Sequence, residues 1–210
     1  RRFGVTAGWS RALTPRTSAT LSTAASFFRD LGEDGREAYS LNLSGGLSHS
    51  INDRLSVNAS AGPSLTISDR TVALPGGGSR REDRTDLGVV GGAGFSYEAP
   101  RVSARGRFQQ SVDQASDGDI ENRSSFGLDL GYSLTPVSSI GLGSRFVVQT
   151  PIFGGDTNRQ SFSISPRYSY SLTDDWSLSL SYRLRTRSDD DFETSNRFLI
   201  QIRRGLDFLP

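Results

Sequence analysis

The chain has 210 residues, a formal net charge of +1, no Cys, no Met, one His and 23 Gly. Zero Cys excludes disulfides, thiol nucleophiles, iron–sulfur clusters and Cys-ligated zinc, and a single His makes any His-centred chemistry depend on His49 alone. No stretch approaches the ~18 consecutive apolar residues that mark a transmembrane helix.

All 24 basic residues are Arg. The apolar fraction of 34% is low for a soluble globule, and Ser and Gly together make 56 of the 210 residues. Without periodicity such a composition would indicate disorder. Periodicity therefore decides the reading.

Eleven segments alternate between apolar and polar residues, at 2–13, 18–29, 37–50, 54–68, 85–98, 101–112, 123–134, 138–149, 160–172, 176–187 and 195–208. In the third, Tyr39, Leu41, Leu43 and Leu47 oppose Ser40, Asn42, Ser44 and Ser48. In the fourth, Leu55, Val57, Ala59, Leu65 and Ile67 oppose Ser56, Asn58, Ser60, Ser64 and Thr66. In the seventh, Phe126, Leu128, Leu130 and Tyr132 oppose Ser125, Gly127, Asp129 and Gly131. In the tenth, Trp176, Leu178, Leu180, Tyr182 and Leu184 oppose Ser177, Ser179, Ser181, Arg183 and Arg185. Successive strand side chains point to opposite faces, so each segment is a strand with one apolar face. The lengths exceed the ~5–6 residues usual in soluble sheets and suit membrane strands, which need ~9–11 tilted residues.

The connections alternate as well. Short ones, with Pro, Asn and Asp as turn residues, fall at 14–17, 52–53, 99–100, 135–137 and 173–175. Long polar ones fall at 30–36, 69–84, 113–122, 150–159 and 188–194, and 17 of the 23 acidic residues lie in or beside them. Turns at one end and longer loops at the other are the pattern of bacterial outer-membrane barrels. Tyr39, Tyr97, Trp9 and Trp176 near segment ends fit aromatic girdles. A soluble sheet or lipocalin-type barrel also alternates, but would carry mixed charge on its outer face rather than this Ser, Gly, Asn and Thr parity.

The expected fold is an all-β, antiparallel, up-and-down transmembrane β-barrel, with residues 1–210 forming one outer-membrane domain. Single-chain barrels of this kind have an even number of strands. The first and last segments both run inward, so twelve strands are expected, the twelfth preceding Arg1. The barrel is expected to be closed, with its apolar residues outward.

Few residues suggest chemistry. His49 is flanked by Ser48 and Ser50, but strand neighbours point to opposite faces, so a Ser–His pair is not formed by adjacency. His49 falls on the lipid parity and reads as an interfacial side chain. Asp174-Asp175 and the run Asp189 to Asp191 read as solvated turn and loop charge, with weak divalent-cation binding as the functional alternative. Gly76-Gly77-Gly78 lacks the Lys and following helix of a phosphate-binding loop. Gly91, Gly92 and Gly94 inside a strand read as easing curvature.

The inner parity is more informative. Arg105, Arg107, Arg145, Arg167, Arg183, Arg185, Arg187, Arg197 and Arg203 are expected to line the lumen as one basic wall, with Glu98 and Asp129 the only nearby inward carboxylates. Two readings follow. The wall either makes a passage favouring anions, or braces a lumen neutralised by a loop or by ions.

The stretch Ser181-Tyr182-Arg183-Leu184-Arg185, Ser188-Asp189-Asp190-Asp191-Phe192 and Asn196-Arg197 resembles the last hairpin of a family of bacterial outer-membrane β-barrel porins. Some of these are encoded near exopolysaccharide export genes. The ending Phe208-Leu209-Pro210 departs from the Tyr-Arg-Phe or terminal Phe common there. The resemblance implies a passive conduit or export-associated barrel without catalytic residues.

The expected function is a porin-like passage for small anions or acidic saccharides. The alternative is a blocked barrel anchoring an envelope or surface assembly. No enzyme activity, metal, cofactor or nucleic-acid partner is expected. The lipid bilayer and lipopolysaccharide are the expected surroundings, in a Gram-negative outer membrane.

Overall fold

A computed structural model describes residues 2–29, 37–74, 78–114, 120–151, 158–188 and 192–205. Its eleven strands are β1 (Arg2–Thr14), β2 (Thr17–Arg29), β3 (Glu37–Ser50), β4 (Leu55–Leu74), β5 (Gly78–Glu98), β6 (Val102–Gln114), β7 (Ile120–Thr135), β8 (Ser138–Pro151), β9 (Arg159–Ser171), β10 (Trp176–Ser188) and β11 (Phe192–Arg204). They form one antiparallel sheet in chain order. The five short turns therefore share one end, and the longer connections share the other.

The turns hold themselves with short polar side chains. Asn52 Oδ1 accepts from the backbone N–H groups of Arg54 and Leu55, both at 2.9 Å. Thr173 Oγ1 accepts from the N–H of Trp176 at 3.1 Å, and Thr14 Oγ1 from that of Arg16 at 3.3 Å. These are the local side-chain bonds that make Asn and Thr good turn residues.

Register sorts the two faces as the alternation predicts. Leu178 stands opposite Ile202, Leu180 opposite Ile200 and Tyr182 opposite Phe198, on one face. Ser177 opposes Arg203 and Ser179 opposes Gln201 on the other. The exposed large apolar side chains within the strands all lie on the first face except Leu199, which shares the polar face with Ser181. By contrast Ser64, Thr66, Glu121 and Val147, among the most buried side chains, lie on the polar face. An apolar exterior around a polar interior is the inverse of a soluble fold and the requirement of a barrel in lipid. Charges of the outer parity sit near strand ends, as in the Arg29–Glu37 ion pair at 3.2 Å.

Two expectations are corrected. The strands reach further into the loops than the alternation alone marks. β4 and β5 stay paired as far as Leu74 opposite Gly78, so most of the stretch expected as the loop 69–84 is a hairpin. Backbone pairing needs no apolar face once a hairpin has left the bilayer, so a polar sequence does not end a strand there. β11 covers Phe192 to Arg204 rather than 195–208. The eleven strands do not close on themselves: among the described residues β1 and β11 do not pair, and both are exposed along their described length, which is consistent with a barrel whose expected twelfth strand stands between them. With eleven alternating strands the two edges run in the same direction, so antiparallel closure between them is geometrically impossible. Residues 206–210 lie outside the described residues.

Two prolines interrupt ladders inside the sheet. Pro63 stays in register with Val89 on β5, while β3 and β4 exchange no pairs between Asn42–Ser64 and Gly45–Ala61. Pro166 stays in register with Leu142 on β8, while β9 and β10 exchange none between Arg167–Ser181 and Ile164–Leu184. A proline lacks the N–H that one of its two neighbouring strands would use. The glycines of β5 have a different cause. A Cβ on Gly92 would stand 2.7 Å from the carbonyl oxygen of Phe108, and one on Gly91 would meet that of Ser60. They let β4 and β6 approach β5 closely.

Candidate functional site: an arginine wall

All nine arginines expected inward fall on the polar face by register. One row across the sheet reads Asn58, Gly94, Arg107, Gly127, Arg145, Ser163, Arg185, Ser195. The next row toward the turns reads Ser96, Arg105, Asp129, Gly143, Ser165, followed by Arg183 opposite Arg197. Arg167 lies one row further, between Gly141 and Ser181. Arg203, opposite Ser177, lies at the turn end. Arg187 lies toward the loops, opposite Ser161 and Glu193. All nine side chains are exposed. Apart from Phe28 at the loop end, the described side chains on the corresponding face of β1 to β4 are those of Gly, Ser, Thr, Asn and Ala, with Ser22–Ser44 and Ser26–Ser40 hydrogen-bonded at 2.7 Å.

The count of inward carboxylates is larger than the alternation suggested. Asp86, Glu121 and Glu193 join Glu98 and Asp129 by register, and Arg123 and Arg159 join the arginines. Among the described side chains, eleven arginines thus stand against five carboxylates on this face. Part of the omission followed from ending the strands too early, because Glu121, Arg159 and Glu193 lie just outside the spans that alternation marked; Asp86 and Arg123 lie at the loop ends of marked spans and needed register to place them on this face.

The added carboxylates gather toward the loops. Glu121 is only 4% exposed; its Oε2 accepts from Gln149 Nε2 at 2.9 Å and its Oε1 pairs with Arg159 Nη1 at 3.3 Å. Val147, 5% exposed, stands two positions from Gln149 on the same face. This end of the wall is packed and braced. Lower down, Arg105 pairs with Glu98 at 2.9 Å. Arg107, Arg145, Arg167, Arg183, Arg185 and Arg197 make no ion pair among the described residues. The middle of the wall therefore carries uncompensated positive charge in contact with water.

His49 lies on the outer face near the turns, its Nδ1 2.9 Å from Thr17 Oγ1, while Ser48 and Ser50 face the other way. Asp174 and Asp175 are exposed turn residues. Asp189 to Asp191, Gly76 and Gly77 lie outside the described residues. A hollow of about 370 Å³ lies on the apolar side, between β1 and β4, bordered by Phe3, Val5, Phe27, Tyr39, Leu41 and Ile67. It is remote in character from the arginine wall and suits acyl chains of the surrounding lipid.

No family model and no curated protein matches the chain. Solved structures do. OmpT, an outer membrane protein of Vibrio cholerae, is 10% identical over 97% of this chain and 88% of its own, with a TM-score of 0.50. Its loop L8 deletion mutant is 10% identical over 97% and 89%, with a TM-score of 0.51. A Pseudomonas aeruginosa FadL homologue is 12% identical over 89% of this chain, with a TM-score of 0.46; the chain spans 60% of that protein. At such identity the likeness to the two OmpT structures speaks to fold. Together with the exposed apolar face, that fold makes the chain an outer-membrane β-barrel.

Proposed function

We propose that the chain forms a passive, non-enzymatic passage in a Gram-negative outer membrane, and that its arginine wall favours small anions or acidic saccharides. The observation that carries this reading is the group of six exposed arginines in the middle of the inner face that make no ion pair among the described residues. Fixed positive charge in a confined aqueous space raises the local concentration of anions and sets selectivity. An export-associated role, as the last hairpin's resemblance implies, would use the same wall.

Planar-bilayer recording tests this reading. Anion-selective conductance that falls toward neutrality in Arg183→Ser/Arg185→Ser supports it. Absence of conductance, or cation selectivity untouched by the substitutions, removes it.

A second reading has its own observation. Ser64, Thr66, Glu121 and Val147 are almost fully buried on the inner face, toward the loops. A lumen covered at that end suits a barrel that anchors an envelope or surface assembly through its loops. The same recordings decide between the two.

A further inference from the structure

The unpaired arginines are not scattered over the wall. Arg107, Arg145 and Arg185 occupy one register row on β6, β8 and β10, two strands apart each time, with Gly127 and Ser163 between them. Neighbouring strands lie about 4.8 Å apart, so successive rungs stand about 10 Å apart along the row. Strands of such barrels tilt by about 40° from the barrel axis. A row perpendicular to them climbs along the axis, by about 6 Å for each two-strand step. The three arginines thus form a ramp through the lumen rather than a ring at one height. Arg183 and Arg197 run beside it in the adjoining row.

The floor between the rungs is low. An added Cβ on Gly127 would meet only the Ser144 carbonyl oxygen, at 3.9 Å. That is an ordinary contact, so neighbouring atoms do not require glycine there. Glycine weakens a strand interior. What its presence does here is leave space between the arginines.

We propose that this ramp is a multivalent binding track for a linear polyanion, an acidic oligosaccharide chain, which engages successive arginines as it lies along the wall. The proposal rests on the passage reading and narrows it. A small anion touches one or two rungs at a time. A chain with carboxylates at intervals holds several rungs at once, and each added contact is intramolecular. Affinity therefore grows with chain length until the ramp is spanned, and then levels off.

The probe is a ladder of oligogalacturonates of one to six sugar residues, with maltohexaose as the neutral control. The full-length protein is used in two assays: current block in planar bilayers, and calorimetric titration in detergent. The expected block and binding tighten by about tenfold or more between monomer and tetramer, as multivalent engagement requires, and maltohexaose has no comparable effect. Arg145→Ser, which removes the middle rung, flattens the length dependence. Gly127→Leu, which fills the floor, weakens the longer oligomers.

Anion-selective conductance with length-independent block overturns the track and leaves the passage. Length-dependent binding without conductance overturns the passage and leaves the track. Equal effects of neutral and acidic oligomers overturn the track.

Discussion

Arg183 donates from Nε to Ser165 Oγ at 3.2 Å, across the stretch where β9 and β10 exchange no register pairs. The gap belongs to Pro166, and the side-chain bond spans it on the inner face. A residue of the charged wall is thus also a tie between strands. The tie is a single exposed hydrogen bond, worth about 0.5–1.5 kcal/mol net, so it is a minor part of what holds the sheet.

This small structural share makes the arginines separable from the fold. In Arg183→Ser/Arg185→Ser the outer apolar face is untouched, and the variant is expected to fold and insert with an unfolding midpoint close to that of the parent. Its reversal potential in a salt gradient is expected to move toward zero. The shift should shrink at high ionic strength, where charges more than about 8–10 Å from the permeating ion are screened.

The two faces of one strand should respond oppositely to the same charge. Leu180 lies mid-strand on the outer face of β10, beside Ser179 on the inner face. Leu180→Arg is expected to destabilise the barrel in lipid vesicles by about 2–4 kcal/mol, the range for a lipid-facing Arg near the midplane. Ser179→Arg should change the urea midpoint little. Equal costs at the two positions would reverse the assignment of the faces.

Glu121 is the buried anchor of the loop end. Glu121→Ala leaves Gln149 and Arg159 without their shared acceptor and is expected to cost about 1–3 kcal/mol. Glu121→Gln keeps one acceptor oxygen and should cost less. Denaturation in lipid checks the order, and bilayer recording of the same variants shows whether the packed end limits conductance.

The absence of cysteine makes the wall easy to map. Ser163 stands in register between Arg145 and Arg185, and Ile164 points to the outer face. In vesicles, Ser163→Cys is expected to react with a water-soluble anionic methanethiosulfonate several-fold faster than with a cationic one, because neighbouring fixed charge concentrates the anion. Ile164→Cys should resist both. A faster cationic reaction at Ser163→Cys would contradict the electropositive wall.

Much of this fold was legible because a strand repeats every two residues and lipid tolerates no charge on one of its faces. Leu178, Leu180 and Tyr182 against Ser179, Ser181 and Arg183 leave one assignment of inside and outside. The ends of the strands were not legible in the same way. At Glu121, Arg159 and along Asp83 to Gly78, nothing apolar is needed, so alternation ceases while backbone pairing continues. That is why the ion pair of Glu121 was missed and the 69–84 loop overestimated. The rows of the arginine wall were also hidden. Alternation gives the face of Arg107, Arg145 and Arg185, but only register shows that they share one row. Val147 shows the remaining limit: an apolar residue on the inner parity signals packing inside, and periodicity reads it as noise.

The shared direction of β1 and β11 sets what can join them. Both descend from the loop side to the turn side. A strand that pairs antiparallel with either, through perpendicular hydrogen bonds, must therefore ascend, and one ascending strand can serve both. A copy of β1 or β11 from a barrel inserted the same way would lie parallel to these edges and could not form that ladder. Direction alone thus selects the kind of strand that completes the sheet.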